Sequence, residues 1–248
     1  MRISLKFAYN GKKFQGYARQ PKFKTVEGEI IDLLLKNNII KDVKESKFRS
    51  ASRTDKGVSA CGNVIAFNAL LPKKYILEKI KDNEKGILFY GIKEVEQDFY
   101  PRYAKLRIYS YYLKKQDSDI DRIIDISTVF IGEHNFSNFA RIEPGKNPSR
   151  TILNIVLTEK NDFFVIDFYA QTFLWHQIRR IVSATEKYCN GKLTKKQIEQ
   201  ALRYPDKKID YGLAPSEPLI LKDVIYDFDF EYERNYLKKL KRIIPFDL

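Results

Sequence analysis

The sequence predicts an α+β fold made of two ferredoxin-like halves with mixed and antiparallel sheets. Two patterns carry that prediction. The first half orders its elements as strand, helix, two strands, helix, strand, which is the split βαβ plan of ferredoxin-like domains. The second half opens on a new strand and repeats a mixed plan with an extra helix. No low-complexity linker lies between them, and the boundary falls near 101–105, giving halves of 1–103 and 104–248. A chain of 248 residues is long enough for two such halves, each with its own core.

The elements follow in order. Arg2–Tyr9 alternates, with Ile3, Leu5, Phe7 and Tyr9 on one face and Arg2, Ser4, Lys6 and Ala8 on the other, so a half-buried strand is expected. A glycine-punctuated basic loop, 10–21, carries Lys12 and Lys13. Thr25 can cap a helix whose Val26, Ile30, Leu33 and Leu34 share one face, and Glu27 and Glu29 suit its positive end. Strands follow at 47–49 and 62–68. Pro72 starts a short helix, 73–81, and Ile87–Val95 is a strand.

In the second half, 105–114 reads as a strand with Arg107, Tyr109 and Tyr111 on one face and Leu106, Ile108 and Tyr112 on the other. Residues 120–131 are helical or irregular. Strands at 151–158 and Phe163–Ala170 join across Asn161 and Asp162. A long helix, 173–190, carries an apolar stripe and stops at Gly191. Thr194 opens a further helix to Arg203, and 219–228 is the last strand.

Composition narrows the function. The net charge is +13, with 45 Lys and Arg against 32 Asp and Glu spread through the chain. With 16 Tyr and 17 Phe this suits RNA, because cations neutralise phosphates and rings stack on unpaired bases. A Lys-rich genomic composition would give the same charge without a function. No apolar run approaches a membrane span, and the amino terminus is amphipathic rather than a leader. Two cysteines, Cys61 and Cys189, make no disulfide scaffold, so a cytoplasmic setting is expected. His134 and His176 give no zinc spacing.

The stretch that carries chemistry is 50–60. Asp55 follows Arg53 by two residues and precedes Gly57 by two, among small residues, in a tight loop between strands. Gly57 can supply a positive φ, and Arg53 can keep a nearby carboxylate ionised and aimed. Taken alone, an Asp-x-Gly segment is better explained by a solvated turn, which is what most such segments are.

Arg53-Thr54-Asp55-x-Gly57-Val58 resembles the catalytic motif of the tRNA pseudouridine synthase A (TruA) family, and the rest of the chain supplies company. Tyr9-Asn10-Gly11 with Phe14-Gln15-Gly16-Tyr17 is similar to the family's opening basic loop. Arg107-x-Tyr109-x-Tyr111 resembles the strand bearing the active-site tyrosine, which falls on Tyr111. Gly132-Glu133-His134-Asn135-Phe136 resembles a family loop. Phe173-Leu174-x-His176-x-Ile178-Arg179 resembles the helix that sends an Arg into the site, here Arg179. Pro218-Leu219-x-Leu221 resembles the closing strand, with Leu219 at the pocket wall. The chain departs from the family at Lys56, Ser59, Tyr17, Gln177 and Pro218, where Ala, His, Trp, Met and Gly are frequent.

The resemblance implies a catalytic set of Asp55, Arg53, Tyr111 and Arg179. It implies substrate contacts from Tyr111, Leu219, Lys12, Lys13, Arg107 and His176, around a basic cleft where the halves meet. It further implies a homodimer acting on tRNA at uridines 38 to 40 of the anticodon stem-loop, without metal or organic cofactor. Isomerising uridine breaks a C–N bond and makes a C–C bond to the same base, so one carboxylate suffices where glycoside hydrolysis usually needs two. Two alternatives differ in class. An RNA glycosidase would need a second acid, and none stands out in the matched motifs. A non-catalytic module of paired RRM-like domains would keep the basic aromatic face but has no use for Arg53-x-Asp55.

Overall fold

A computed structural model describes residues 1–81, 83, 85–115 and 120–244. The chain packs as two units, Met1–Lys105 with Ile220–Leu248, and Leu106–Leu219. Both mix helices with mostly antiparallel strands.

The first unit begins with β1 (Arg2–Tyr9), α1 (Val26–Lys36), β2 (Arg49–Ser50), β3 (Ser59–Asn68), α2 (Lys73–Ile80) and β4 (Ile87–Val95). β1 is central, antiparallel to β3 through Leu5↔Ile65 and to β4 through Leu5↔Ile92. β2 pairs β3 for two residues only. Thr25 caps α1 as expected, its Oγ1 accepting from the Gly28 N–H at 3.3 Å. Val26, Ile30, Leu33 and Leu34 are buried, joined by Ile31.

β1 differs from expectation, because all eight of its residues are buried. Its polar face is covered by the chain's return, and the charges are met there. The Arg2 Nε donates to the Phe99 carbonyl at 2.9 Å, and Lys6 Nζ pairs with Asp223 at 2.5 Å under the Phe230 ring. A buried charge is tolerable only with such partners.

The second unit runs β5 (Leu106–Lys114), α3 (Ile120–Thr128), β6 (Gly132–Asn135), β7 (Ser149–Ile152), β8 (Asn154–Lys160), β9 (Phe163–Ala170), α4 (Gln177–Cys189) and α5 (Lys195–Arg203). β9 lies between β5 and β8, antiparallel to both. The expected strand at 151–158 is two strands. Residues up to Ile152 pair with β6 in a separate two-stranded sheet, while the Leu153 N–H donates to the Tyr169 carbonyl at 2.7 Å and passes the chain to β9. Asn161 takes φ +50° in the β8–β9 turn.

α4 is shorter than the expected 173–190. His176 has φ +65°, a left-handed conformation that cannot continue a helix, so α4 starts after it. The far end is as expected, with Gly191 at φ +70° just past the last turn. The chain closes with β10 (Leu219–Ile225), β11 (Glu231–Tyr232) and α6 (Tyr236–Ile243). β10 runs parallel to β3 through Leu221↔Ala60, and β11 pairs β4. β6, β11 and α6 were not legible in the sequence. β11 and α6 belong to an aromatic stack in which Tyr236 lies 4.9 Å from Tyr90 and 5.0 Å from Tyr232.

Candidate active site

The Asp55 loop is held from several sides within the first unit. Its stem is tied to β3, where the Ala51 N–H donates to the Val64 carbonyl at 2.8 Å and Asn63 Nδ2 donates to the Ser52 carbonyl at 2.9 Å. Next to Asp55, Thr54 is gripped twice. Its hydroxyl shares a 2.8 Å hydrogen bond with Tyr9, and its carbonyl accepts from the Tyr17 N–H at 3.2 Å. The Val58 N–H then closes a turn onto the Asp55 carbonyl at 3.2 Å, with Gly57 at φ +89°. That φ at the third position is the demand of a type II turn, which glycine meets without strain. Asp55 is half-buried at the turn's start, and Ser52 behind it is buried.

The loop 10–17 packs directly on this turn. A Cβ at Gly11 would lie 2.2 Å from the Val58 carbonyl oxygen, so only glycine fits. The Gly11 N–H also donates to Ser59 Oγ at 3.0 Å. Below lie the rings of Phe14 and Tyr17, 6.1 and 6.2 Å from Tyr9. Burial pushes the Tyr17 phenol well above its ordinary pKa, while the charge of Arg53 acts in the opposite sense. Arg53 itself is exposed, as are Lys12 and Lys13 on a short 3₁₀ turn capped by Asn10. No ion pair of Arg53 is seen among the described residues.

Within the second unit, Tyr111 and Arg179 come to one segment. The Tyr111 hydroxyl donates to the Pro215 carbonyl at 3.2 Å, and Arg179 Nε donates to the neighbouring Ala214 carbonyl at 2.8 Å. The Ala214 N–H returns a bond to the Arg179 carbonyl, and Ser183 Oγ holds the Tyr211 carbonyl at 2.8 Å. One face of α4 thus anchors 211–215. Leu219 is buried, and the Tyr112 N–H donates to the Pro218 carbonyl beside it. Arg107 is also buried and donates to the Gln171 carbonyl. His176 stands at the start of α4 in its left-handed conformation.

Tyr111 is electrostatically unusual. Burial pushes its phenol above the ordinary range, the Glu186 carboxylate adds to this, Arg179 opposes it, and Glu217 contributes a smaller push. Burial also raises Glu186. Sequence reasoning missed Glu186. Its seven-residue spacing from Arg179 along α4, two helical turns, was the available signal. Asp167 is a further buried carboxylate and accepts from Ser110 Oγ at 2.5 Å. It pairs across from Ser110, next to Tyr111 on β5, and so faces the other side of the sheet. Among the described residues no group of three or more His, Cys, Asp or Glu is placed to hold a metal, and no helix is long and apolar enough to cross a membrane.

Comparison with known proteins accords with these motifs. Residues 126–227 match the model of a family described as tRNA pseudouridine synthase. A tRNA pseudouridine synthase A of Thermococcus sibiricus is 42% identical over 246 residues, covering 98% of this chain and 91% of that protein. Those of Thermococcus kodakarensis and Pyrococcus furiosus are 38% and 37% identical, each over 98% of this chain and at least 91% of theirs. Among solved structures, a Cbf5–Nop10–Gar1 complex aligns with 79% of this chain and 44% of that one at TM-score 0.36 and 14% identity, too distant a likeness to build on. With relatives this similar along almost its whole length, the chain belongs to the tRNA pseudouridine synthase A family.

Proposed function

We propose that this chain isomerises uridine to pseudouridine in the anticodon stem-loop of tRNA, at positions 38, 39 or 40, with Asp55 as the reacting carboxylate. The observation that carries the assignment of Asp55 is the fixed turn around it: a half-buried carboxylate next to a doubly hydrogen-bonded Thr54, on a glycine that no other residue could replace without strain. A merely solvated turn has no need of that support.

The target base must leave its stack to react, at a cost of roughly a few kcal/mol. Asp55 then attacks the sugar carbon or removes a sugar proton to give a glycal; both routes start from the ionised carboxylate. Arg53, exposed in the free protein, aims that carboxylate once RNA is engaged. Tyr111 stacks on the base and takes part in removing the proton from the base carbon of the new C–C bond. Burial keeps it a neutral phenol, so as it accepts that proton it gives its own to a water molecule. Arg179 pairs with a phosphate, and Leu219 excludes water while the detached base turns. Lys12, Lys13 and His176 meet RNA. Arg107, buried, acts by holding the 171 segment rather than by touching phosphate. No metal or organic cofactor enters this scheme.

The fold reading behind this is two ferredoxin-like halves, 1–103, which carries the Asp loop, and 104–248. It is supported by the order β4-β1-β3-β2 in the first unit and by the order β5-β9-β8 in the second. We also propose a cytoplasmic homodimer. The test of function is incubation with unmodified tRNA followed by mapping of pseudouridine. Product at 38 to 40 is expected; free uracil would favour the glycosidase alternative, and binding without product the paired RRM-like module.

A further inference from the structure

The only tryptophan of the chain, Trp175, is 43% exposed. It is nevertheless fixed in place. Its carbonyl accepts from the Arg141 N–H at 2.8 Å in an isolated β-bridge, and the Arg141 guanidinium lies 4.2 Å from the ring centroid. The His176 ring is 5.0 Å away, tilted by 57°. The turn beneath is locked as well. The Gln177 N–H donates to the Leu174 carbonyl at 3.2 Å, and the buried Gln177 side chain accepts from the Leu174 N–H at 2.8 Å. His176 keeps φ +65°, which a non-glycine residue holds only where its surroundings impose it.

A large ring is therefore presented to solvent by a rigid, strained turn, at the head of the helix that carries Arg179. Arg141 is exposed, as are Gln171 and Thr172 a few residues earlier in the chain. A flat, polarisable ring flanked by phosphate matches a guanidinium–indole pair, because unpaired bases stack on aromatic side chains and on Arg planes alike. We propose that Trp175 and Arg141 form a stacking platform for one unpaired base of the RNA substrate, fixing the strand beside α4. This rests on the tRNA reading above and adds to it a binding subsite that the sequence motifs did not mark.

The emission of Trp175 reports this site alone. Titration of the full chain with unmodified tRNA or with oligouridylate is expected to quench it, and an RNA duplex of equal phosphate content is expected to quench it far less. Trp175→Ala is expected to weaken tRNA binding roughly ten-fold, the worth of about one base stack, while Trp175→Phe stays within roughly three-fold. The salt dependence of binding would stay unchanged in both, since no phosphate contact is lost. Wild-type-like affinity of Trp175→Ala, or unchanged emission at saturating tRNA, overturns the platform. So does emission that shifts with protein concentration in the absence of RNA, which marks a self-association face. If Trp175→Ala fails to melt cooperatively, quenching of the wild type by oligouridylate decides. Pseudouridine is assayed in the same wild-type samples, so that product without quenching refutes the platform only, and no product refutes the tRNA reading itself.

Discussion

Tyr111 is the residue where packing and chemistry are hardest to separate, because it is both almost wholly buried and hydrogen-bonded to the segment that Arg179 holds. Tyr111→Phe keeps the ring and removes the hydroxyl. If the hydroxyl works in the final proton transfer, the single-turnover rate falls by roughly 10²–10⁴ with tRNA affinity little changed. Tyr109→Phe, also on β5, is the matched control and is expected to be mild. The phenol's raised pKa gives a second check. A phenolate base would make the rate climb tenfold per pH unit below that pKa, whereas a neutral phenol that relays its proton gives no such climb between about pH 7 and 9. The flat profile is expected. If Arg53 aims the Asp55 carboxylate, its fork matters more than its charge, and Arg53→Lys is expected to lower the rate as well.

At the scale of elements, α4 and the Gly11 contact offer the sharper tests. Glu186 has a folded-state pKa raised by burial, so folding favours its protonated form. The stability it contributes is complete below the unfolded value of about 4.3 and is lost as pH rises through the folded value. Glu186→Gln is therefore expected to raise Tm at pH 7, with the gain gone at about pH 4 in a thermal melt. Gly11→Ala forces a Cβ against the Val58 carbonyl, which costs about 1–3 kcal/mol as overpacking does elsewhere. If the shift reaches the Asp55 turn, the rate falls by more than stability alone explains, on the order of 10² for about 1 Å of displacement. Unchanged turnover in a variant of lowered Tm would mean that this contact is structural only. These elements also show what sequence can carry. The Thr25 cap, the Gly57 turn and the Gly191 stop are local, and each was legible from a few neighbouring residues. The break before α4 was not, since a left-handed backbone is uncommon even for His, a type enriched there. Nor was the division of 151–158 at Leu153, because the partner strands alone decide it. The grip of Tyr9 and Tyr17 on Thr54 joins residues far apart in sequence, which no spacing rule reaches.

At the scale of the whole molecule the net charge of +13 makes a prediction of its own. Binding of tRNA is expected to weaken steeply with salt, log K against log[salt] sloping by about −0.7 to −0.9 per phosphate contact. Neutralising Lys12 and Lys13 together would reduce that slope and leave the single-turnover rate intact at saturating RNA. A flat salt response in the wild type would make the charge a matter of composition. The central claim, that Asp55 performs the isomerisation, is tested most directly by the single-turnover rate of Asp55→Asn on unmodified tRNA. The expected result is no detectable pseudouridine at positions 38 to 40, with tRNA affinity within roughly a few-fold of wild type, since phosphate contacts set affinity. Turnover near the wild-type rate would remove Asp55 from the chemistry.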